Sequence, residues 1–188
     1  MLIEDGTGSG RTAKVDSENK LVVRATTETE IHHINREESE AYEVYFGISP
    51  NSSNPSVDST QYFAYIKNTS NDGLVIAEMR VWVEQAEYID IYFNTIGSPI
   101  GTTDITPVNM NLASGHTANG DFKQGLDITG LSGGVFFDRI RIPADDDDHI
   151  RSWPSLILIP KNNIVTFQAG SGGIPIELSI AFYYEIIN

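Results

Sequence analysis

The chain has 188 residues, of which 40% are hydrophobic and 20% charged, values that are ordinary for one soluble globular domain. Its net charge of −14 argues against a nucleic-acid partner, because a phosphate backbone requires Lys and Arg for neutralisation, and against docking on an anionic membrane. The absence of cysteine excludes disulfides and thiolate chemistry.

The first five residues lack the basic region and the apolar core of a signal peptide, and no apolar run reaches the roughly 18 residues of a membrane-spanning helix. We therefore expect a protein that is made and assembled in a cytoplasm.

Residues 1–19 are polar and rich in glycine, with no hydrophobic periodicity. Such a stretch has too little apolar surface to order itself. We expect an extended N-terminal arm that orders only against its own domain or a neighbouring subunit. A first strand is predicted at 20–25, so that the arm and this strand (1–25) precede a single β-sandwich domain at 26–188. Residues 26–40 are predicted to be a loop or a short helix.

Short runs rich in Val, Ile, Tyr and Phe, separated by Gly, Asn, Ser and Pro, predict strands through the middle of the chain, at 41–48, 60–68, 74–84, 88–94 and 134–142. A compact turn signal at 69–73 predicts a hairpin between the second and third of these strands, and the fourth would continue the meander. The stretch 95–132 is dominated by Gly, Thr, Asn, Ser and Pro. It predicts a long loop with one short strand near 105–109, of the kind that serves function or packs against partners.

Three further strands are predicted at 155–159, 164–169 and 174–185. The last alternates clearly, with its apolar residues on one side: Ile174, Ile176, Leu178, Ile180 and Phe182. The other side carries Glu177, Ser179 and Ala181. A period of two is the pattern of a half-buried strand, so we expect this strand at the centre of a sheet, paired on both edges. About nine or ten strands without βαβ alternation predict an all-β fold, a two-sheet jelly-roll-like β-sandwich.

The acidic run 145–148 is followed by His149. Adjacent carboxylates repel, and a calcium ion held by Asp145, Asp147 and Asp148 would relieve that repulsion. An EF-hand loop is excluded, because Ile150 stands where that loop needs glycine. A solvated acidic loop is the simpler interpretation, since charge runs usually stay hydrated. We therefore expect no cofactor, with calcium as the alternative.

No catalytic constellation is predicted. His32 and His33 are adjacent, so in a strand they would point to opposite faces, while His116 lies in a polar loop. No Gly-x-Ser-x-Gly pattern stands in a strand–turn–helix context. We expect no enzymatic activity; a jelly-roll enzyme with clustered histidines and a metal is the opposing hypothesis.

Two tryptophans are present. Trp82 lies within an apolar strand and is expected in the core, whereas Trp153, beside Pro154 and a charged loop, is expected at the surface as a glycan contact. The alternative function is accordingly a carbohydrate-binding module for attachment to a host surface, with 95–132 and 145–153 as its contact loops.

The opening, residues 4–16, reads EDGTGSGRTAKVD and is followed by NKLVV at 19–23. It resembles the start of tailed-bacteriophage virion proteins, in which Gly-Thr-Gly, Ala-Lys-Val-Asp and Arg/Lys-Leu precede an all-β domain. The ending, LILIPKNN at 156–163 and IAFYYE at 180–185, is similar to the closing strands of such proteins. The resemblance implies a non-enzymatic structural protein of the head decoration, fibre or capsid-associated type. It also implies a homo-oligomer, with a trimer favoured, that contacts other virion proteins and resides in the virion after assembly in the host cytoplasm.

From the glycine-rich leader we predict that the arm binds a neighbouring subunit or a capsid protein by adding a strand to its sheet. The residues predicted to make this contact are Asp5, Gly6, Gly8, Gly10, Arg11, Lys14 and Val15.

Overall fold

A computed structural model describes residues 2–4, 12–14, 40–48, 62–83, 85–143, 149–170 and 173–186. These residues form fourteen strands: β1 (Leu2–Glu4), β2 (Thr12–Lys14), β3 (Ala41–Ile48), β4 (Tyr62–Asn68), β5 (Gly73–Val83), β6 (Glu87–Phe93), β7 (Ile96–Ile100), β8 (Thr103–Asp104), β9 (Val108–Asn109), β10 (Gly120–Ser132), β11 (Val135–Ile142), β12 (His149–Ile159), β13 (Ile164–Ala169) and β14 (Ile176–Glu185). In this part of the chain no helix is long and apolar enough to cross a membrane.

Two large antiparallel sheets pack against each other. Sheet 1 has the order β12-β5-β14-β3-β9, and sheet 2 has the order β11-β6-β13-β4-β10-β7, with β8 paired to β10. Without the insertion β7–β10, each sheet has four strands, and the chain changes sheet at every step from β3 to β6 and again from β11 to β14. This is the strand order of a jelly roll, so the predicted fold class is confirmed.

The last strand lies at the centre of sheet 1, as predicted. β14 pairs with β5 along one edge and with β3 along the other. The apolar side of its alternation is buried, with Ile176, Leu178, Ile180 and Phe182 each at 0% exposure. Glu177 on the opposite side is exposed.

An aromatic stack joins the two sheets. The Phe182 ring lies 5.5 Å from the Tyr42 ring of β3 and 5.2 Å from the Phe122 ring, which belongs to β10 of sheet 2. Tyr184 meets Phe182 edge-on at 5.9 Å. Because these rings are buried and in contact across the sandwich, they tie the inserted strand β10 to the central strand of the opposite sheet.

The predicted hairpin between residues 60–68 and 74–84 is wrong. β4 lies in sheet 2 and β5 in sheet 1, so the turn between them is a crossover. Asn68 organises this crossover from a fully buried position: its amide group donates to the carbonyl oxygens of Asp72 and Ile159, each at 2.8 Å, and its side-chain oxygen accepts from the Ser70 N–H at 2.9 Å. β6 lies in sheet 2, so the predicted meander is wrong as well.

The stretch 95–132 is not one long loop, because it contains β7 to β10. The 13-residue β10 was missed because three glycines and several polar side chains interrupt its apolar pattern. Register shifts at Gln124/Ile128 and at Thr129/Leu131 break its pairing in the same region. β12 likewise begins earlier than predicted, at His149.

The described residues of the arm pair with each other. Leu2 to Glu4 run antiparallel to Thr12 to Lys14 in a separate two-stranded sheet. We expected an arm that orders only against another surface, whereas part of its backbone hydrogen bonding is satisfied within the arm itself. Of the predicted contact residues, Lys14 ends β2; Asp5, Gly6, Gly8, Gly10, Arg11 and Val15 lie outside the described residues, as does the strand predicted at 20–25.

The substitution Phe182→Ala is expected to lower the free energy of unfolding by about 3–5 kcal/mol, because it leaves a cavity between the two sheets. The neighbouring surface change Ala181→Ser serves as the control and should stay within about 0.5 kcal/mol of the wild type. Urea denaturation followed by fluorescence measures both. Similar values for the two variants would show that the stack does not hold the sheets together.

Candidate assembly surface

The two ends of sheet 2 carry large apolar side chains that face solvent. β7 and β11 are the terminal strands of this sheet. Ile96 is 73% exposed, Val135 66% and Ile100 62%. Phe136 and Phe137 are also exposed. We call these five residues the apolar edge. Single exposed apolar residues are common, but several large ones at the rim of a sheet are typical of an interaction surface, although β7 and β11 stand at opposite ends of the strand order.

A tight corner brings the starts of β7 and β11 together. Thr95 is buried between β6 and β7, after Asn94 with a φ of 54°. Gly134, with a φ of 99°, precedes β11, and a Cβ at this glycine would lie 3.0 Å from the Thr95 Cγ2. The close approach of Gly134 to Thr95 therefore puts Ile96 and Val135, the next residue of each chain segment, at the same corner.

A β-bulge exposes the two phenylalanines. The pairing of β11 with β6 shifts between Phe136 and Asp138, so Phe137 is the extra residue. The Phe136 ring contacts Tyr92 edge-on at 5.7 Å, and the Phe137 ring lies 4.6 Å from the Phe93 ring. Tyr92 packs on the outer cluster of sheet 2 and Phe93 on the core between the sheets, so the two phenylalanines lie on opposite sides of the end of β6, each partly exposed.

Both terminal strands are poor templates for extending the sheet by hydrogen bonds. β7 contains Pro99, which has no N–H to donate, and β11 is interrupted by its bulge. A partner at the apolar edge would therefore be held by packing of side chains.

The outer face of sheet 2 is partly covered by its own insertion. Leu131 of β10 packs against a cluster of Tyr62, Tyr65 and Ile128. The Tyr62 hydroxyl also reaches the Gly133 carbonyl at 3.5 Å. Thr166, which pairs with Tyr65 on β4 and with Tyr92 on β6, is fully buried on the same face.

A charged array lies elsewhere on the same face. Arg139 donates two hydrogen bonds to the carboxylate of the buried Asp90, at 2.5 and 2.6 Å, and its guanidinium lies 4.0 Å above the Tyr88 ring. The hydrogen bond that Arg139 donates to Asp90 raises the pKa of the Arg139 guanidinium. The Tyr88 ring itself covers Gly170, where a Cβ would come within 2.0 Å of it. The array is internally satisfied and stabilises the sheet.

The described residues contain no group of three or more His, Asp or Glu side chains that could hold a metal ion. His116 Nδ1 lies 3.6 Å from a Glu40 carboxylate oxygen at a polar cavity of about 240 Å³, which Tyr42 and Tyr184 also line. Burial raises the pKa of the Tyr184 hydroxyl, so it stays neutral in ordinary buffers. The predicted calcium ligands Asp145, Asp147 and Asp148 lie outside the described residues.

The structure places Trp82 differently from the prediction, and it shows a surface that the sequence analysis did not predict. Trp153 lies in β12, but its side chain is outside the described part of the chain. Trp82, expected in the core, is half-buried on the outer face of sheet 1, because Met79, Val81 and Val83 occupy the inner side of β5.

The apolar edge was not predicted, although the sequence contained a signal for it. Residues 135–137 are three consecutive large apolar residues, and a strand with only one buried face cannot bury three residues in a row.

Comparisons with known proteins add no relative. A scan against protein-family models, a search of curated proteins and a search of solved structures each found no match for this chain.

The substitution Gly170→Ala is expected to lower the free energy of unfolding by about 1–3 kcal/mol, because the new methyl group displaces Tyr88 from its place beneath Arg139. Gly115→Ala is the matched control, since a Cβ at Gly115 has no atom within 4 Å. Chemical denaturation compares the two. Equal stabilities would mean that the Tyr88 position contributes nothing to the sheet.

Proposed function

We propose that the protein is a non-enzymatic structural component of a bacteriophage virion, which assembles through subunit contacts on the capsid or tail as a decoration, cement or fibre-like protein. The resemblance of its opening and closing segments to tailed-phage virion proteins supports the proposal, and by fold-level analogy so does the jelly-roll architecture, which viral capsid domains use. The protein would assemble in the host cytoplasm and reside in the virion, with other virion proteins and its own copies as partners.

The observation that carries this proposal is the apolar edge. Each copy has a net charge of −14, so copies brought together repel each other. Burial of Ile96, Ile100, Val135 and the two phenylalanines would offset that repulsion by the hydrophobic effect, which salt does not screen. The same charge disfavours nucleic-acid and anionic-membrane partners.

A second contact between copies would be made by the N-terminal arm, at the β3 edge of sheet 1. β9 pairs only with Tyr42 and Glu43 of β3, so among the described strands residues 44–48 have no neighbour on that edge of sheet 1. A strand from the arm of another copy could continue the sheet there, as β-strand addition requires. Among the described strands, β1 and β2 pair only with each other, so the outer edge of each provides backbone groups for this contact.

The kind of contact allows more than one number of copies. Two copies that exchange arms reciprocally close a dimer, whereas an arm that joins the β3 edge of the next copy in turn closes a larger ring. We favour the smallest such ring, a homotrimer, as the type of virion protein that the chain resembles implies.

Substitution of Ile96 or Val135 by Asp is expected to weaken self-association about tenfold or more, because a carboxylate would be buried without a partner at the contact. Leu112→Asp is the control: Leu112 is 86% exposed but lies outside the apolar edge, so its variant should associate normally. Light scattering after size-exclusion chromatography gives the masses, and circular dichroism checks the fold. A wild type that stays monomeric at all accessible concentrations would overturn the assembly role.

Deletion of residues 1–19 is expected to abolish oligomerisation or attachment to particles while the remaining domain keeps its cooperative unfolding. Strand addition depends on backbone hydrogen bonds, so Thr7→Ser in the intact arm, at a residue outside the predicted contact set, should retain most of the binding. Cosedimentation with particles measures attachment. Full retention by the deletion variant would refute the arm's role.

A further inference from the structure

The outer face of sheet 1 presents a mixed aromatic and polar surface at its centre. The register of β5, β14 and β3 places six residues in two adjacent rows: Trp82, Glu177 and Gly47 in one, and Arg80, Ser179 and Tyr45 in the next. Neighbouring strands are about 4.8 Å apart, so two aromatic side chains flank the central strand within the width of three strands.

These rows enclose a shallow cleft of about 260 Å³, which we call the Trp82 cleft. Its lining residues are Glu43, Tyr45, Arg80, Trp82, Glu177 and Ser179. A cavity of about 150 Å³ is enough to hold benzene. The Trp82 cleft therefore has room for one six-membered ring with substituents.

The glycine in the first row determines how Tyr45 lies. A Cβ at Gly47 would stand 2.5 Å from the Tyr45 Cε1, so the absence of a side chain lets this ring lie over the strand. Tyr45 is 52% exposed, which leaves ring surface for a ligand. Burial, followed by the hydrogen bond and the negative charge of Glu177, raises the pKa of the Tyr45 hydroxyl.

The cleft offers both hydrogen-bond donors and acceptors at its floor. The Ser179 hydroxyl donates to a Glu43 carboxylate oxygen, and Arg80 Nε donates to Glu78 at 2.8 Å. These contacts fix the side chains in place and so reduce the entropy lost when a ligand binds. Glu177 adds a carboxylate acceptor between the two aromatic residues.

This combination matches a sugar ring better than the other classes of ligand. A pyranose has an apolar C–H face for an aromatic ring and hydroxyls that both donate and accept. Nucleic acids and acidic sugars are disfavoured by the negative charges of Glu43 and Glu177, since the one cationic residue of the lining, Arg80, is paired with Glu78. A second protein copy is disfavoured because charged residues are depleted at interface cores.

We propose that the Trp82 cleft binds a neutral pyranose sugar, with its ring against Trp82 and Tyr45 and its hydroxyls on Glu43, Glu177 and Ser179. This site lies on a different surface from the apolar edge. Of its residues, Tyr45 also belongs to the β3 edge proposed for the arm, whereas Trp82 lies on β5, away from both proposed contacts.

The test uses the full chain with the substitution Trp153→Phe. This removes one of the two tryptophans, so the remaining tryptophan fluorescence comes from Trp82. The methyl glycosides of glucose, galactose, mannose and N-acetylglucosamine are titrated up to tens of millimolar, with N-acetylneuraminic acid as the anionic comparison. At least one neutral glycoside should shift Trp82 emission in a saturable manner. Calorimetry with that glycoside should show about tenfold or greater weakening for Trp82→Ala and Tyr45→Ala, and a smaller loss for Glu177→Gln.

Tyr88→Ala, on the outer face of the other sheet, is the matched control and should bind like the parent. The proposal is overturned if none of the four neutral glycosides shifts Trp82 emission, if the acidic sugar binds instead, or if Trp82→Ala and Tyr88→Ala behave alike. It is also overturned if Trp82→Ala, which lies away from both proposed assembly contacts, lowers the mass of the oligomer, since a second copy would then occupy the cleft.

Discussion

The sandwich depends on the central strand of sheet 1 and on what its inner face touches. β14 is paired on both edges and places a continuous row of buried apolar side chains against sheet 2. Phe182 is the point where that row meets the inserted strand β10, through the ring of Phe122. Because one residue contacts β3 of its own sheet and β10 of the other, the insertion is held to the core of the sandwich.

The crossovers between the sheets need particular polar residues as hydrogen-bond partners for the backbone. A jelly roll must carry the chain from one sheet to the other repeatedly, and each crossing leaves backbone groups that need partners. At the β4–β5 crossing, the buried Asn68 provides them by binding backbone atoms of the turn and of β12. A buried amide is costly unless its hydrogen bonds are satisfied, and here both its oxygen and its nitrogen are used.

The local sequence pattern predicted where the strands lie better than it predicted which strands pair with each other. The bounds of β3 and β13 and the inward side of β14 follow from hydrophobic alternation, which is a local property. The supposed hairpin failed because a turn signal marks a change of direction and does not distinguish a return within one sheet from a crossing to the other. β10 was missed because its exposed polar residues and glycines obscure the alternation.

The Trp82 cleft and the apolar edge were harder to predict from the sequence than the strands, each for its own reason. Trp82 was accessible to the same reasoning that succeeded for β14, since it alternates with Val81 and Val83 and shares its side with Arg80. Its partners in the cleft come from β3 and β14, and only the pairing register brings those strands together. The apolar edge depends on a bulge and on the corner at Thr95 and Gly134, neither of which has a sequence period.

The outer faces of the two sheets differ in how far they are covered, because the insertion β7–β10 packs on only one of them. On sheet 2, Leu131 and Ile128 of the insertion pack against Tyr62 and Tyr65 of β4, so the chain itself occupies part of that surface. On sheet 1, Tyr45 remains half exposed and Trp82 is only partly buried. The insertion therefore covers part of the outer face of sheet 2, places the exposed strand β7 at the edge of that sheet, and leaves the centre of the outer face of sheet 1 open. In the proposed assembly, copies pack along the apolar edge while the polar, aromatic cleft stays accessible on a separate surface.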